Sequence, residues 1–261
     1  MNVHSFLKDQ GLPLVERVDV DGERWYRLPG ETDPANYFAS VTNVLSVANA
    51  KPLVDYFKTT SSRKQTATLE QTANLGTKIH DLVERDLQGE TIPEAELTFG
   101  EQDTIGLRDW FKRWQKLKQE KQITATALEV PVVNIKYGYA GTLDILGTYM
   151  GQPAIFDVKS GFYGVKAGYQ LAAYKQAFFD MIKAGPTTPE GVLGEKAQGL
   201  RLVGLSLPWN KIANCFVYEH EDFCWNRFLD ALGLFRGLNY HRLDKMKWRY
   251  LHVERNEGLH E

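Results

Sequence analysis

Two aspartates and a lysine are spaced so that one β-hairpin would bring their side chains together. In TLDILGTYMGQPAIFDVKS, a turn over residues 150–151 sets Asp144 opposite Asp157. Directly opposed side chains have Cβ atoms about 4.5–5.5 Å apart, and the alternation of a strand places Lys159 on the same face as Asp157. A turn shifted by one residue would set Lys159 opposite Asp144 instead, and the three groups would still cluster.

Two carboxylates and an ammonium on one face are costly unless a further charge offsets them. Mg²⁺ prefers oxygen ligands and keeps several waters, and a bound cation both activates water and neutralises charge on phosphate oxygens. Lys159 would then orient or deprotonate the attacking water, because burial and nearby positive charge lower the pKa of a lysine. A cross-strand ion pair on a solvated sheet face accounts for the same residues, and the spacing alone does not separate the two interpretations.

The sequence around these residues resembles the signature of the PD-(D/E)XK nuclease superfamily. The matching pattern is GTLD at 141–144, a short turn, and a hydrophobic strand that ends in DVK at 157–159. Gln170 and Tyr174, four apart on one helix, resemble the Q-x-x-x-Y element of the RecB-like branch, and GTKIH at 76–80 resembles its G-x-x-x-H helix. The similarity is greatest to phage-type and mitochondrial genome-maintenance exonucleases.

The resemblance implies a role for each matching residue of the signature. Asp144 and Asp157 match metal-binding carboxylates, with the main-chain carbonyl of Val158 as a further ligand. Lys159 matches the catalytic lysine. His80 matches a histidine that completes or supports the metal site in this branch.

Three further residues take roles from the same resemblance. Gln170 matches a residue that orients the lysine or touches DNA, Tyr174 one that helps to hold the phosphate, and Glu129 an additional acid of lambda-exonuclease-like members. Without the resemblance, His80 is a packed or half-exposed helix residue, Glu129 an edge-strand charge, and the glutamine and tyrosine are ordinary helix surface and core.

A basic and aromatic segment near the end of the sequence has a composition suited to DNA. Lys245, Lys247 and Arg249 would attract the phosphate backbone, and Trp248 would stack on a base. The alternative is a solvated charged face, as for the basic residues that decorate the helix expected at 102–121.

The surrounding pattern predicts a mixed α/β or α+β fold that positions these residues. An Asp21-Gly22 turn between alternating segments predicts an N-terminal hairpin. Three consecutive period-two segments, ATALEVPVVNI, YAGTLDILGTYM and PAIFDVKS, predict strands, followed later by RLVGLSLP and NCFVYEH. Helices are expected at about residues 42–58, 68–88, 102–121, 166–183 and 222–240. The resemblance implies that the central mixed sheet and its flanking helices form a restriction-endonuclease-like core.

Length and composition favour one globular domain over all 261 residues. We expect a hairpin elaboration at 1–36, a nuclease core at 37–220 and a C-terminal helical extension at 221–261. With 43% hydrophobic and 25% charged residues and no membrane-length or signal-like segment, the expected location is the cytoplasm. The resemblance implies that the cell is bacterial or a phage-infected host. Two cysteines cannot hold an iron–sulfur cluster, and buried free thiols are expected.

The expected function is a metal-dependent DNA exonuclease acting in recombination, repair or phage DNA metabolism. Mg²⁺ is the expected cofactor, with Mn²⁺ as a substitute, and the expected substrate is single-stranded DNA or DNA with a free end. A recombination or replication partner and a homo-oligomer remain open. A structure-specific endonuclease would use the same residues, whereas a non-catalytic nucleic-acid-binding protein would have lost some of them. The net charge of −2 does not by itself indicate DNA binding.

Overall fold

The computed structural model of the chain describes residues 14–48, 62–98, 106–161, 164–184, 199–209 and 211–239. Within this part, the strands form one eight-stranded mixed sheet. They are β1 (Glu16–Val20), β2 (Glu23–Arg27), β3 (Phe38–Ser40), β4 (Thr124–Asn134), β5 (Tyr139–Tyr149), β6 (Gln152–Lys159), β7 (Arg201–Ser206) and β8 (Asn214–Tyr218). The α-helices described are α1 (Val41–Ser46), α2 (Ser62–Leu87), α3 (Leu107–Glu120), α4 (Val165–Ala184) and α5 (Glu221–Leu238).

The long strand β5 lies at a fork in the sheet. Along one edge it pairs antiparallel with β4. Its other edge is shared: β6 pairs antiparallel with the second half, up to Ile145 opposite Phe156, and β3 pairs parallel with Tyr139 and Ala140 at the start. Residues 141–144 therefore face a gap between β3 and β6, and Asp144 stands where β6 leaves β5.

Two tight turns confirm the hairpins predicted from the sequence. Asp21 and Gly22 have φ of 54° and 78°, and Met150 and Gly151 have φ of 52° and 75°. Positive φ at both central residues is typical of the type I′ turn, whose twist matches that of antiparallel strands. The second turn gives the β5–β6 hairpin the predicted register, with Tyr149 opposite Gln152.

Apolar side chains cover both faces of the sheet. On one face, Leu143 and Ile155 pack with buried residues of α4 and α5, such as Phe178 and Phe228. On the other face, Phe156 packs in a cluster that includes buried residues of α2 and α3. The prediction of a mixed α+β fold with a central mixed sheet between helices is confirmed.

Some predicted boundaries differ from those in the structure. The helix expected at 42–58 ends at Ser46 within its described part, and the helix expected from residue 68 already begins at Ser62. The helix expected at 102–121 begins at Leu107, because Gly106 before it has a left-handed backbone with φ of 66°. Residues 102–105 of that prediction lie outside the described residues.

The basic and aromatic segment near the end of the chain, with Lys245, Lys247, Trp248 and Arg249, lies outside the described residues. Its predicted contact with DNA stays a prediction. In the described part of the chain, no helix combines the length and the apolar character needed to cross a membrane.

Candidate active site

Asp144 reaches from β5 across the fork to β6. The predicted register holds up to Ile145 and Phe156, one step short of the two aspartates. There the carboxylate of Asp144 accepts a hydrogen bond of 2.6 Å from the main-chain N–H of Val158. The side chain thus ties the two strands together at the point where their ladder stops.

Asp157 is completely buried and held by two donors. Its Oδ1 accepts hydrogen bonds from Lys159 Nζ at 2.8 Å and from Gln170 Nε2 at 2.7 Å. Lys159 and Asp157 therefore share one face of β6, as predicted, and the lysine side chain keeps 38% of its surface exposed. A buried carboxylate fixes the position of an ammonium that still reaches the open side of the site.

Helix α4 contributes the glutamine and the tyrosine that the sequence singles out. Gln170 Nε2 also lies 3.0 Å from Tyr174 Oη, and both side chains are buried. The Tyr174 ring fills the space over Gly141, because a Cβ at that glycine would lie 2.4 Å from Tyr174 Cε1. The glycine of GTLD therefore permits α4 to approach β5 closely enough for Gln170 to reach Asp157.

His80, Glu129 and Asp144 form an acidic triad beside this chain of hydrogen bonds. One candidate ligand atom from each lies within 4.8 Å of the other two, and His80 Nδ1 is 3.9 Å from Asp144 Oδ2. Ligand atoms at about 2.0–2.6 Å from a common cation are separated by such distances. All three residues belong to the ligand set expected from the sequence, whereas Asp157 of that set accepts hydrogen bonds from Lys159 and Gln170.

Val158 has a different observed contact from the one predicted. Its N–H donates to Asp144, whereas the carbonyl as a metal ligand stays a prediction. The amide contact orients the carboxylate of Asp144 within the triad.

The triad carboxylates are electrostatically unfavourable without a cation. Burial, reinforced by repulsion from Asp144, raises the pKa of Glu129 to about 7. Burial and the charge of Asp157 raise the pKa of Asp144 to about 6, although His80 and Lys159 oppose the rise. A divalent cation would remove both penalties, so the donor set fits such an ion.

The lysine responds to the same acids in the opposite sense. Burial by itself would lower the pKa of Lys159, but the charges of Asp157 and Asp144 outweigh it and raise the pKa. In the absence of a cation, Lys159 is therefore a firmly protonated donor, contrary to the lowered pKa considered from the sequence.

Glu129 enters the triad through an unusual backbone conformation in the middle of β4. Its φ is 49°, a left-handed value that costs a non-glycine residue about 1–3 kcal/mol. The ladder pairs Leu128 with Ile145 and Val130 with Leu143, so Glu129 lies across from Asp144. Leu128 and Val130 pack with the clusters on opposite faces of the sheet, so the strand changes face at this residue.

Helix α2 carries His80 and is held against the site at two places. A Cβ on Gly76 would lie 3.3 Å from Ser160 Oγ just after β6, so the glycine permits a close approach one turn before the histidine. Further along, buried Asp86 accepts hydrogen bonds from Trp114 Nε1 at 2.8 Å and Lys118 Nζ at 2.6 Å of α3. The G-x-x-x-H motif had drawn attention to Gly76, whereas no pattern in the sequence indicated a role for Asp86.

Two basic residues near the site were also missed from the sequence. The pKa of Lys166, at the start of α4, is lowered by burial and by the charge of Lys159. The charge of Arg24 on β2 acts on both Glu129 and Lys159. The first lies in the predicted α4 and the second in the predicted hairpin, but neither belongs to a motif.

A cavity of about 250 Å³ between α4 and α5 is separate from this chemistry. Its lining includes Lys175 and Glu221, which form an ion pair with each other, and Trp225. None of its lining residues belongs to the triad or to the chain of hydrogen bonds at the fork.

No model of a known protein family matches the sequence, and no curated protein matches it at a significant level.

Proposed function

We propose that the chain is a metal-dependent nuclease of the PD-(D/E)XK superfamily, in the RecB-like branch, and that it hydrolyses DNA phosphodiester bonds as an exonuclease. On this proposal the forked sheet between helices is a restriction-endonuclease-like core. The observation that supports it most strongly is that two groups of residues meet at the fork. One is the triad of His80, Glu129 and Asp144. The other is the chain of hydrogen bonds that joins Gln170 and Lys159 through Asp157. A simple cross-strand ion pair would not need the strained backbone of Glu129.

Mg²⁺ is the proposed cofactor, and Mn²⁺ would substitute for it. His80, Glu129 and Asp144 would hold the cation, with Asp157 at its border, since Asp157 is close enough to raise the pKa of Asp144. Carboxylate oxygens suit both ions, and imidazole nitrogen suits Mn²⁺ in particular. When bound, the cation would lower the pKa of water and neutralise charge on the phosphate oxygens.

The remaining residues position the reactants. Lys159 is protonated and partly exposed, so it would donate a hydrogen bond to the attacking water or to a phosphate oxygen. Asp157 fixes the ammonium of Lys159, and Gln170 in turn fixes Asp157. Tyr174 supports Gln170, and its own pKa is held well above the usual range by burial and by Asp157, so it would act as a neutral hydroxyl near the phosphate.

The test is cleavage of end-labelled linear single-stranded, linear double-stranded and closed circular DNA with Mg²⁺, Mn²⁺ or EDTA. We expect metal-dependent loss of linear DNA only, and at least a hundredfold lower rate for Asp144→Asn. Lys159→Ala should bind metal normally but turn over about 10²–10⁴-fold more slowly. Asp81→Asn is the matched control, because Asp81 is an exposed acid next to His80 that pairs with Lys78 and Arg85.

The outcomes separate the related functions. Cleavage of the closed circle would instead identify an endonuclease. Binding of DNA without cleavage under any metal would indicate a non-catalytic binding protein. Equal rates for Asp144→Asn and the wild type would contradict the proposed site.

A further inference from the structure

The N-terminal hairpin carries two arginines on one face. The register places Arg17 opposite Tyr26 and Asp19 opposite Arg24. Opposed residues of antiparallel strands share a face, as do residues two apart on one strand. These four side chains therefore lie on one side of β1 and β2.

Tyr26 connects this face to the candidate active site. Its side chain is buried, and its Oη shares a hydrogen bond of 2.9 Å with Oγ1 of Thr142, two residues before Asp144 on β5. Burial raises the pKa of Tyr26, whereas the bond to Thr142 and the positive charges of Arg24 and Arg17 lower it. Both guanidinium groups are therefore close enough to act electrostatically on Tyr26, whose hydroxyl is hydrogen-bonded to Thr142 at the gap between β3 and β6.

The charge of Arg24 is not neutralised by its neighbours. Its cross-strand neighbour Asp19 pairs with Arg17 instead, at 3.8 Å. Among the described residues, no carboxylate forms an ion pair with Arg24. The ladders pair Trp25 with Ala39 and Ser40 with Ala140, so Arg24 lies level with the end of β3, where the gap beside residues 141–144 begins.

A half-buried arginine beside a cation site, but outside ion-pair distance of its acids, leaves room for an anion between them. Guanidinium groups bind phosphate oxygens through paired hydrogen bonds. In a DNA strand with one phosphate at the triad, the next phosphate along the strand lies a few ångströms away. The whole chain has a net charge of −2, so its overall charge does not attract DNA. A local positive group near the site is therefore more important for binding the DNA backbone.

We propose that Arg24 binds the phosphate of the DNA strand next to the one held at the triad, with Tyr26 and Thr142 fixing the hairpin against β5. The N-terminal hairpin is then part of the substrate-binding surface, and Arg17 adds a more exposed charge at its margin. This inference rests on the proposed nuclease function.

The test measures the affinity of a fluorescent single-stranded oligonucleotide by anisotropy, with Ca²⁺ as the cation and a gel to verify that the strand stays intact. Arg24→Gln should raise the Kd roughly tenfold and reduce the salt dependence by about one phosphate contact. Arg24→Lys should retain part of the affinity, since it keeps the charge. The Mn²⁺ affinity of Arg24→Gln should not fall, because Arg24 is not a ligand and its positive charge does not favour a cation nearby.

Arg27→Gln is the matched control, because it removes one charge from the opposite face of the same strand, where Arg27 pairs with Glu16 at 3.1 Å. Its Kd should not change. If Arg24→Gln binds DNA like the wild type, or if Arg27→Gln weakens binding equally, the assignment of Arg24 is wrong while the nuclease function can stand. If the wild type neither binds nor cleaves DNA, the proposed function fails and the assignment fails with it.

Discussion

At the scale of residues, the site concentrates acids that oppose one another. Glu129 and Asp144 are both partly buried. The charge of Asp144 helps to raise the pKa of Glu129, and the charge of Asp157 helps to raise the pKa of Asp144. Glu129 also occupies a left-handed backbone conformation. Such costs persist where the surrounding structure enforces them, and they are concentrated at sites that bind or react.

Glu129→Gln should stabilise the metal-free protein above neutral pH. The folded protein keeps the proton of Glu129 up to about pH 7, whereas the unfolded chain releases it near the model-compound value of 4.5. The penalty of ionisation is therefore absent below 4.5 and fully present above 7. In EDTA at high pH, the variant should have a free energy of unfolding higher by on the order of 1–2 kcal/mol.

Chemical denaturation in EDTA near pH 5 and near pH 8.5 measures this difference. Glu120→Gln, which neutralises an exposed acid at the end of α3, is the control and should leave stability unchanged at both values. A variant Glu129→Gln that is no more stable than the wild type at the higher pH would contradict the electrostatic account of the triad.

At the scale of elements, close approaches of helices to the sheet set the geometry of the site. Gly141 gives space to Tyr174 of α4, and Gly76 gives space to Ser160 beside α2. The first approach places Gln170 and the second places His80. Each glycine therefore contributes to the site by allowing a helix to pack close to the sheet.

Gly141→Ala should destabilise the fold and misplace α4. The added methyl group would lie 2.4 Å from the Tyr174 ring, and overpacking of this kind costs typically about 1–3 kcal/mol. Because the ring belongs to a buried side chain that contacts Gln170, we also expect DNA cleavage to fall.

A double-mutant cycle with Tyr174→Leu isolates the contact. The smaller side chain should leave space for the alanine, so the double variant should be more stable than the two separate losses add up to. Strict additivity in thermal or chemical unfolding would mean that Gly141 is needed for another reason.

The secondary-structure elements could be predicted from the sequence more fully than the contacts between them. The Asp21-Gly22 and Met150-Gly151 turns set both hairpins, because their backbone preferences are local. Where β6 leaves β5 depends on the packing of β3, β4 and the helices, so the spacing alone could not show that the ladder stops at Ile145 and Phe156, one step before the two aspartates. The left-handed conformation of Glu129 breaks the period of two in β4, and Asp86 is recognised only once α2 and α3 are packed together.

At the scale of the whole molecule, the site draws on parts of the chain that are far apart in sequence. α2 provides His80, the central strands provide the acids and the lysine, α4 provides Gln170, and the N-terminal hairpin provides Tyr26 and Arg24. Asp86 links α2 to α3 through Trp114 and Lys118. One fork in one sheet therefore gathers the acids, and helices on both faces hold them there.

Calorimetric titration of Mn²⁺ into the metal-free protein tests this account most directly. We expect saturable binding at the triad in the wild type, an unchanged affinity in Asp81→Asn, and a loss of affinity of about tenfold or more in Asp144→Asn and Glu129→Gln. Saturating Mn²⁺ should also raise the free energy of unfolding, by about 2.7 kcal/mol at one hundred times the Kd. The absence of saturable binding, or equal affinity in the wild type and Asp144→Asn, would contradict a cation site at His80, Glu129 and Asp144.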